Sequence, residues 1–74
     1  MKKLNQIISE VLRIKEEDLK DELIVQDLES WDSLKHMDLI SSIEKDFNIQ
    51  FVMDEILSMK DIKTIKKIVN EKLL

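Results

Sequence analysis

Side chains capable of chemistry gather within one short stretch, Ser30-Trp31-Asp32-Ser33-Leu34-Lys35-His36-Met37, which holds the only tryptophan and the only histidine of the chain. Ser33 and His36 are three residues apart, so on a helix they are surface neighbours, the relation of a nucleophile to its base. A working dyad also needs a group to orient the imidazole and donors for the developing oxyanion. No orienting residue is evident, and a chain with Gly 0 offers no Gly-bearing oxyanion loop. The hydrolase reading is therefore set aside and no catalytic residue is assigned. Asp32 and Ser33 are both good N-caps, since their oxygens accept the first free N–H groups of a helix. His36 is expected to pack inward near Trp31, and Trp31 to staple its loop to the rest of the chain.

The elements that must position this stretch follow from periodicity. Leu4, Ile7, Ile8, Val11 and Leu12 recur at helical spacing and predict a one-faced helix over about residues 2–14. From Lys15 to Trp31 the periodicity fails, and a loop this long in so short a chain points to a functional role. Its Leu19, Leu23, Ile24, Val25 and Leu28 are expected to fasten it across the other elements. A second helix should open at Asp32 or Ser33 and run to Phe47. Its inward side carries His36, Met37, Leu39, Ile40, Ile43 and Phe47, and its outer side Lys35, Asp38, Ser42, Lys45 and Asp46. Leu34 falls on the outer, polar side, out of pattern beside the serine.

Asn48–Val52 reads as a connector with Ile49 and Phe51 pointing inward, and Met53–Leu57 as one short helical turn. Ser58-Met59-Lys60-Asp61 has the spacing of a capping box, with Ser58 as cap and Asp61 reaching back. The last helix would bury Met59, Ile62, Ile65, Val69 and Leu73, leaving Lys63, Lys66, Lys67 and Lys72 to water. Each apolar face is too narrow to be buried alone, so the elements imply a small all-α bundle of three main helices plus a short one. Residues 1–74 read as a single domain.

Composition excludes several functions. With Cys 0 there is no disulfide and no thiolate metal site. Glu16-Glu17-Asp18 and Asp54-Glu55 lack the alternation and central Gly of a calcium loop, so no metal site is expected. No apolar run is long enough to span a membrane. Met1-Lys2-Lys3-Leu4 starts like a signal peptide, but Asn5, Gln6, Ser9 and Glu10 interrupt any apolar segment, and a cytoplasmic location is expected. Residues 21–61 carry three bases against eleven acids, a net of −8, while residues 62–74 carry four bases against one acid. An acidic middle argues against nucleic acid and suits partners with basic docking surfaces.

Asp32-Ser33-Leu34 follows a long loop containing Asp27-Leu28 and opens an amphipathic helix ending in Asp46-Phe47-Asn48-Ile49, midway along a chain of 74 residues. In this arrangement, from Leu4 to Leu73, the sequence resembles the acyl carrier protein family, which includes peptidyl and D-alanyl carriers. The resemblance implies that Ser33 bears 4′-phosphopantetheine, transferred from coenzyme A by a phosphopantetheinyl transferase, with Asp32 as part of the motif. The arm's thiol would hold acyl or aminoacyl cargo as a thioester, loaded by an adenylating ligase or an acyltransferase and passed to downstream acyl-using enzymes. Leu34, Met37, Asp38, Ser41 and Glu44 would then face partners, and the carrier would be a monomer.

The chain departs from the family's common pattern in lacking the glycine before Asp-Ser-Leu and in placing Asp27 one residue further from the serine. It also has Lys35 and Lys45 where acids are common, and Ser41 where an apolar residue is common. With Trp31, these features point to a carrier of a specialised pathway rather than the housekeeping fatty-acid carrier. The competing reading is a helical interaction module without cofactor.

Overall fold

The structure is a computed structural model and describes residues 2–74. Four helices are formed: α1 (Lys2–Leu12), α2 (Ser33–Phe47), α3 (Met53–Ser58) and α4 (Ile62–Leu73). Between α1 and α2 the loop contains two 3-10 turns, Glu16–Asp18 and Val25–Asp27. The described residues form no strand, and one isolated antiparallel bridge joins Ile24 to Asp61.

α1 buries the predicted stripe of Leu4, Ile7, Ile8 and Leu12 but stops two residues short of the expected end. Arg13 takes φ 57°, the left-handed region that ends a helix, and the Ile14 N–H donates to the Ser9 carbonyl at 3.2 Å. α2 ends the same way. Asn48 has φ 54°, and the Ile49 N–H reaches the Glu44 carbonyl at 3.1 Å. With no glycine in the chain, Arg and Asn take the left-handed positions. Ile49 then packs on the core as the apolar contact that accompanies this cap.

One core joins the helices: Leu4, Ile8 and Leu12 of α1, Leu39, Ile40 and Ile43 of α2, and Ile62, Ile65 and Val69 of α4 are fully or almost fully buried. Leu19 and Val25 bring the long loop onto it, as expected, and Phe51 does so for the connector. Ile24 is the exception among the loop's apolar residues and is exposed. Backbone pairing fixes the loop further. Val25 N–H donates to the Lys60 carbonyl at 2.9 Å, and Ile62 and Lys63 N–H donate to Leu23 and Asp21 at 3.0 Å each.

That pairing overturns the expected capping box. Residues Met59–Asp61 run beside the loop and cannot be helical, so α4 begins at Ile62. Asp61 is its N-cap, accepting from the Thr64 N–H at 2.8 Å, while Ser58 closes α3 by donating to the Glu55 carbonyl at 2.9 Å. The α4 face is likewise rotated from expectation. Ile68 is buried and Leu73 is exposed. Lys66 and Lys72, expected to be free in water, pair with Asp21 at 3.2 Å and Glu55 at 2.9 Å.

Candidate functional site

The N-terminus of α2 is built by Asp32. Its backbone is extended and its Oδ1 accepts the Lys35 N–H at 2.7 Å, while its carbonyl accepts the His36 N–H at 2.9 Å. This makes Asp32 the cap and Ser33 the first helical residue. Ser33 is exposed, beside N–H groups that have no partner within the helix. Such an end carries partial positive charge and accommodates a phosphate. The approach to it is pinned at both ends, by the Ser30 hydroxyl donating to the Leu12 carbonyl at 2.7 Å and by the Trp31 N–H donating to Leu28 at 3.1 Å.

Trp31 is half-buried against the core, and its ring stands edge-on to His36 with centroids 5.9 Å apart and planes at 61°. The indole Nε1 lies 3.4 Å from His36 Nδ1, and His36 Nε2 lies 3.0 Å from the Ile56 carbonyl. An indole N–H only donates and a carbonyl only accepts, so these partners assign the neutral imidazole with its proton on Nε2. Both ring nitrogens are thus committed, and His36 has no lone pair left to serve Ser33 as a base. The expected packing role holds, but the ring does more than pack: it ties the loop and α3 to α2.

Next to Ser33 lies an open cleft of about 240 Å³ between the start of α2 and α3. Trp31, His36 and Met37 line one side, and Met53, Ile56 and Leu57 of α3 the other, with Gln26 contributed by the loop. The α3 residues were not singled out from sequence as site residues. The signal was present in Met53 and Leu57, which share one face of a short helix at i, i+4 and are 64% and 63% exposed.

The residues expected to face partners form one stripe of α2. Leu34 is 77% exposed and Met37 46%, so Met37 belongs to the outer edge rather than the inward side where the helical wheel placed it. Asp38 and Ser41 are exposed along the same face. Glu44 is half-buried, its Oε2 accepting the Phe51 N–H at 2.9 Å. At 1.5 Å of rise per residue it stands roughly 16 Å along the axis from Ser33.

α3 buries none of its residues. Its first turn is held by Glu55, whose Oε1 accepts the Val52 N–H at 2.9 Å and pairs with Lys72. The Lys72 ammonium, and then the Val52 N–H, hold the Glu55 carboxyl below its ordinary value. At α4 the hydroxyl and N–H of Thr64 lower Asp61 in the same direction. Among the described residues no group of acidic or histidine side chains is arranged to hold a metal, and no helix is long and apolar enough to cross a membrane.

A family model described as the phosphopantetheine attachment site matches residues 2–71. Comparison with curated proteins finds no match. Among solved structures, the solution NMR structure of a holo acyl carrier protein from Geobacter metallireducens superposes with a TM-score of 0.85. The two sequences are 32% identical, over 97% of this chain and 83% of that one.

Proposed function

The chain belongs to the acyl carrier protein family, whose members carry a covalent 4′-phosphopantetheine and are not themselves enzymes, and on that premise we propose that Ser33 Oγ is the attachment atom. One observation carries the assignment. Ser33 is exposed at the first position of α2, where Asp32 does the capping, so its hydroxyl is spared for a bond and faces a helix end suited to a phosphodiester.

In the attachment reaction the Ser33 oxygen bonds to the phosphorus of coenzyme A as the pyrophosphate P–O bond breaks. Adenosine bisphosphate leaves, and the serine proton passes to the transferase, since both His36 nitrogens are engaged. The bound arm supplies a flexible tether ending in a thiol on which cargo is held as a thioester. This chain's own residues supply the platform. Asp32 fixes the start of α2, Trp31 and Ser30 fix the loop before it, and exposed Leu34, Met37, Asp38 and Ser41 present a mixed apolar and polar docking stripe, with Glu44 at its far end. Exposed apolar anchors of this kind mark binding surfaces.

Carriers of the family work with transferases and ligases. For this chain we assign a phosphopantetheinyl transferase, an adenylating ligase or acyltransferase as loader, and downstream acyl-using enzymes. The reading is of a single-domain, monomeric carrier acting in the cytoplasm in a specialised biosynthetic pathway, as Trp31, Lys35 and Lys45 suggest. Intact-mass spectrometry after incubation with a phosphopantetheinyl transferase and coenzyme A tests the attachment. A gain of ~340 Da is expected from this modification, and Ser33→Ala should abolish it. A gain that persists in Ser33→Ala, or no gain with several transferases, overturns it.

A further inference from the structure

α3 is held beside Ser33 by very little. It buries no residue fully: Ile56 packs partly on the core, and two polar ties add to that contact, Lys72 of α4 to Glu55 and His36 of α2 to the Ile56 carbonyl. The second tie runs on to Trp31, so one imidazole joins the loop before Ser33, the first turn of α2 and the last turn of α3. We propose that neutral His36 is a latch that holds the loop and α3 against α2 beside Ser33, and that its protonation releases Trp31 and α3 and widens the cleft.

The chemistry follows from the two contacts. Nδ1 accepts from the indole N–H only while it holds a free lone pair. A proton added there sets two donors against each other across 3.4 Å and ejects the indole. The Nε2–H bond to Ile56 is then the single contact left to an imidazolium in a mostly apolar cleft, where an unpaired charge is driven toward water. No charged group stands by to retain it. The loop faces the cleft with Gln26 and Trp31, and α3 with Met53, Ile56 and Leu57. Of the carboxylates on those elements Asp27, Glu29 and Asp54 are exposed, and Glu55 is paired with Lys72. On α2 itself the Asp32 carboxylate is bonded to the Lys35 N–H, and the Lys35 and Asp38 side chains lie outside the cleft lining.

Release of α3 would widen the space between Met37 of α2 and Met53 and Leu57 of α3, next to the attachment serine, where an apolar cargo could shelter. That consequence rests on Ser33 bearing the arm; the latch itself does not. The test therefore uses the unmodified full chain, so that its outcome is independent of the attachment result. Amide exchange, corrected for intrinsic rates, is followed from about pH 8 to about pH 5 together with Trp31 emission and imidazole ¹⁵N shifts. At the upper end the ¹⁵N shifts should show the Nε2–H tautomer. On acidification, protection at Ile56 and Met59 should fall on the order of tenfold, about the effect of one hydrogen bond. Trp31 emission should shift red with the same midpoint as the imidazole, while α1 and α4 stay protected. His36→Gln retains an amide donor for Ile56 and should hold α3 at both extremes. An Nδ1–H tautomer, α3 protection that is flat while the imidazole titrates, loss of protection in α1 and α3 together, or an unchanged pH response in His36→Gln would each overturn the latch.

Discussion

α1 buries Leu4, Ile7, Ile8 and Leu12 and packs on α2, whereas α3 buries no residue fully and rests on the core through Ile56 alone, with polar ties to His36 and Lys72. Burial of alkyl groups is non-directional and indifferent to protons. A hydrogen bond or ion pair is directional and changes with pH. The bundle is thus assembled from a part that resists change in solution conditions and a part that responds to them. Ser33 stands where the two meet, on the helix that belongs to the core but beside the cleft that α3 completes.

The sharpest way to break this comparison is to truncate both sides. Ile8→Ala removes a fully buried side chain and should cost about 2–5 kcal/mol by urea denaturation. That is a large share of the stability available to so small a domain. Leu57→Ala, on the exposed flank of α3, should stay within about 0.5 kcal/mol. Equal losses would mean that α3 belongs to the core after all.

A smaller effect separates the two residues of the attachment motif. Asp32→Ala should cost roughly 1 kcal/mol through loss of the cap. Ser33→Ala, although it removes the proposed attachment atom, should leave stability within about 0.5 kcal/mol. A cost at Ser33 matching that at Asp32 would assign the serine a structural role.

The other tie of α3 runs through a carboxylate. Glu55 is held below its ordinary value by Lys72, so its contribution is complete above the unfolded value and is lost as pH falls through the lowered folded one. Amide exchange at Val52 should therefore rise only in acid. Glu55→Gln should remove that acid step and leave the response at Ile56 unchanged. A single transition covering both ties would merge them into one device. Smallest in stability is Leu34→Ala, which should leave the melting temperature unchanged because the side chain is exposed. Modification by the transferase should slow through a higher KM, and an unaltered KM would remove Leu34 from the docking stripe.

Much of this was legible from neighbouring residues. The stripe of α1, the start of α2 at Asp32–Ser33, and Leu34 standing outward could all be read from spacing and cap chemistry. The errors lie where a distant partner overrode a local signal. Ser58-Met59-Lys60-Asp61 has a capping box's spacing, yet the loop at Leu23–Val25 claims that backbone, and the helix starts three residues later than Met59. Lys66 reads as a solvated lysine, and only the fold brings Asp21, 45 residues away, to it. Met37 sits on the apolar half of a helical wheel, but no element covers it there, and it lines the rim of a cleft instead.

By itself, the sequence determined the helical class, the apolar faces and a helix start at Asp32 or Ser33, while the structure made Asp32 the cap. These depend on interactions within one or two turns of chain, and periodicity reports them directly. The tertiary structure decided which nitrogen of His36 carries the proton, what holds α3, and that the apolar flank of α3 faces the attachment serine. Those features depend on the Ile56 carbonyl, 20 residues from His36. No pattern in the chain specifies a backbone group at that distance, so only folding could supply it.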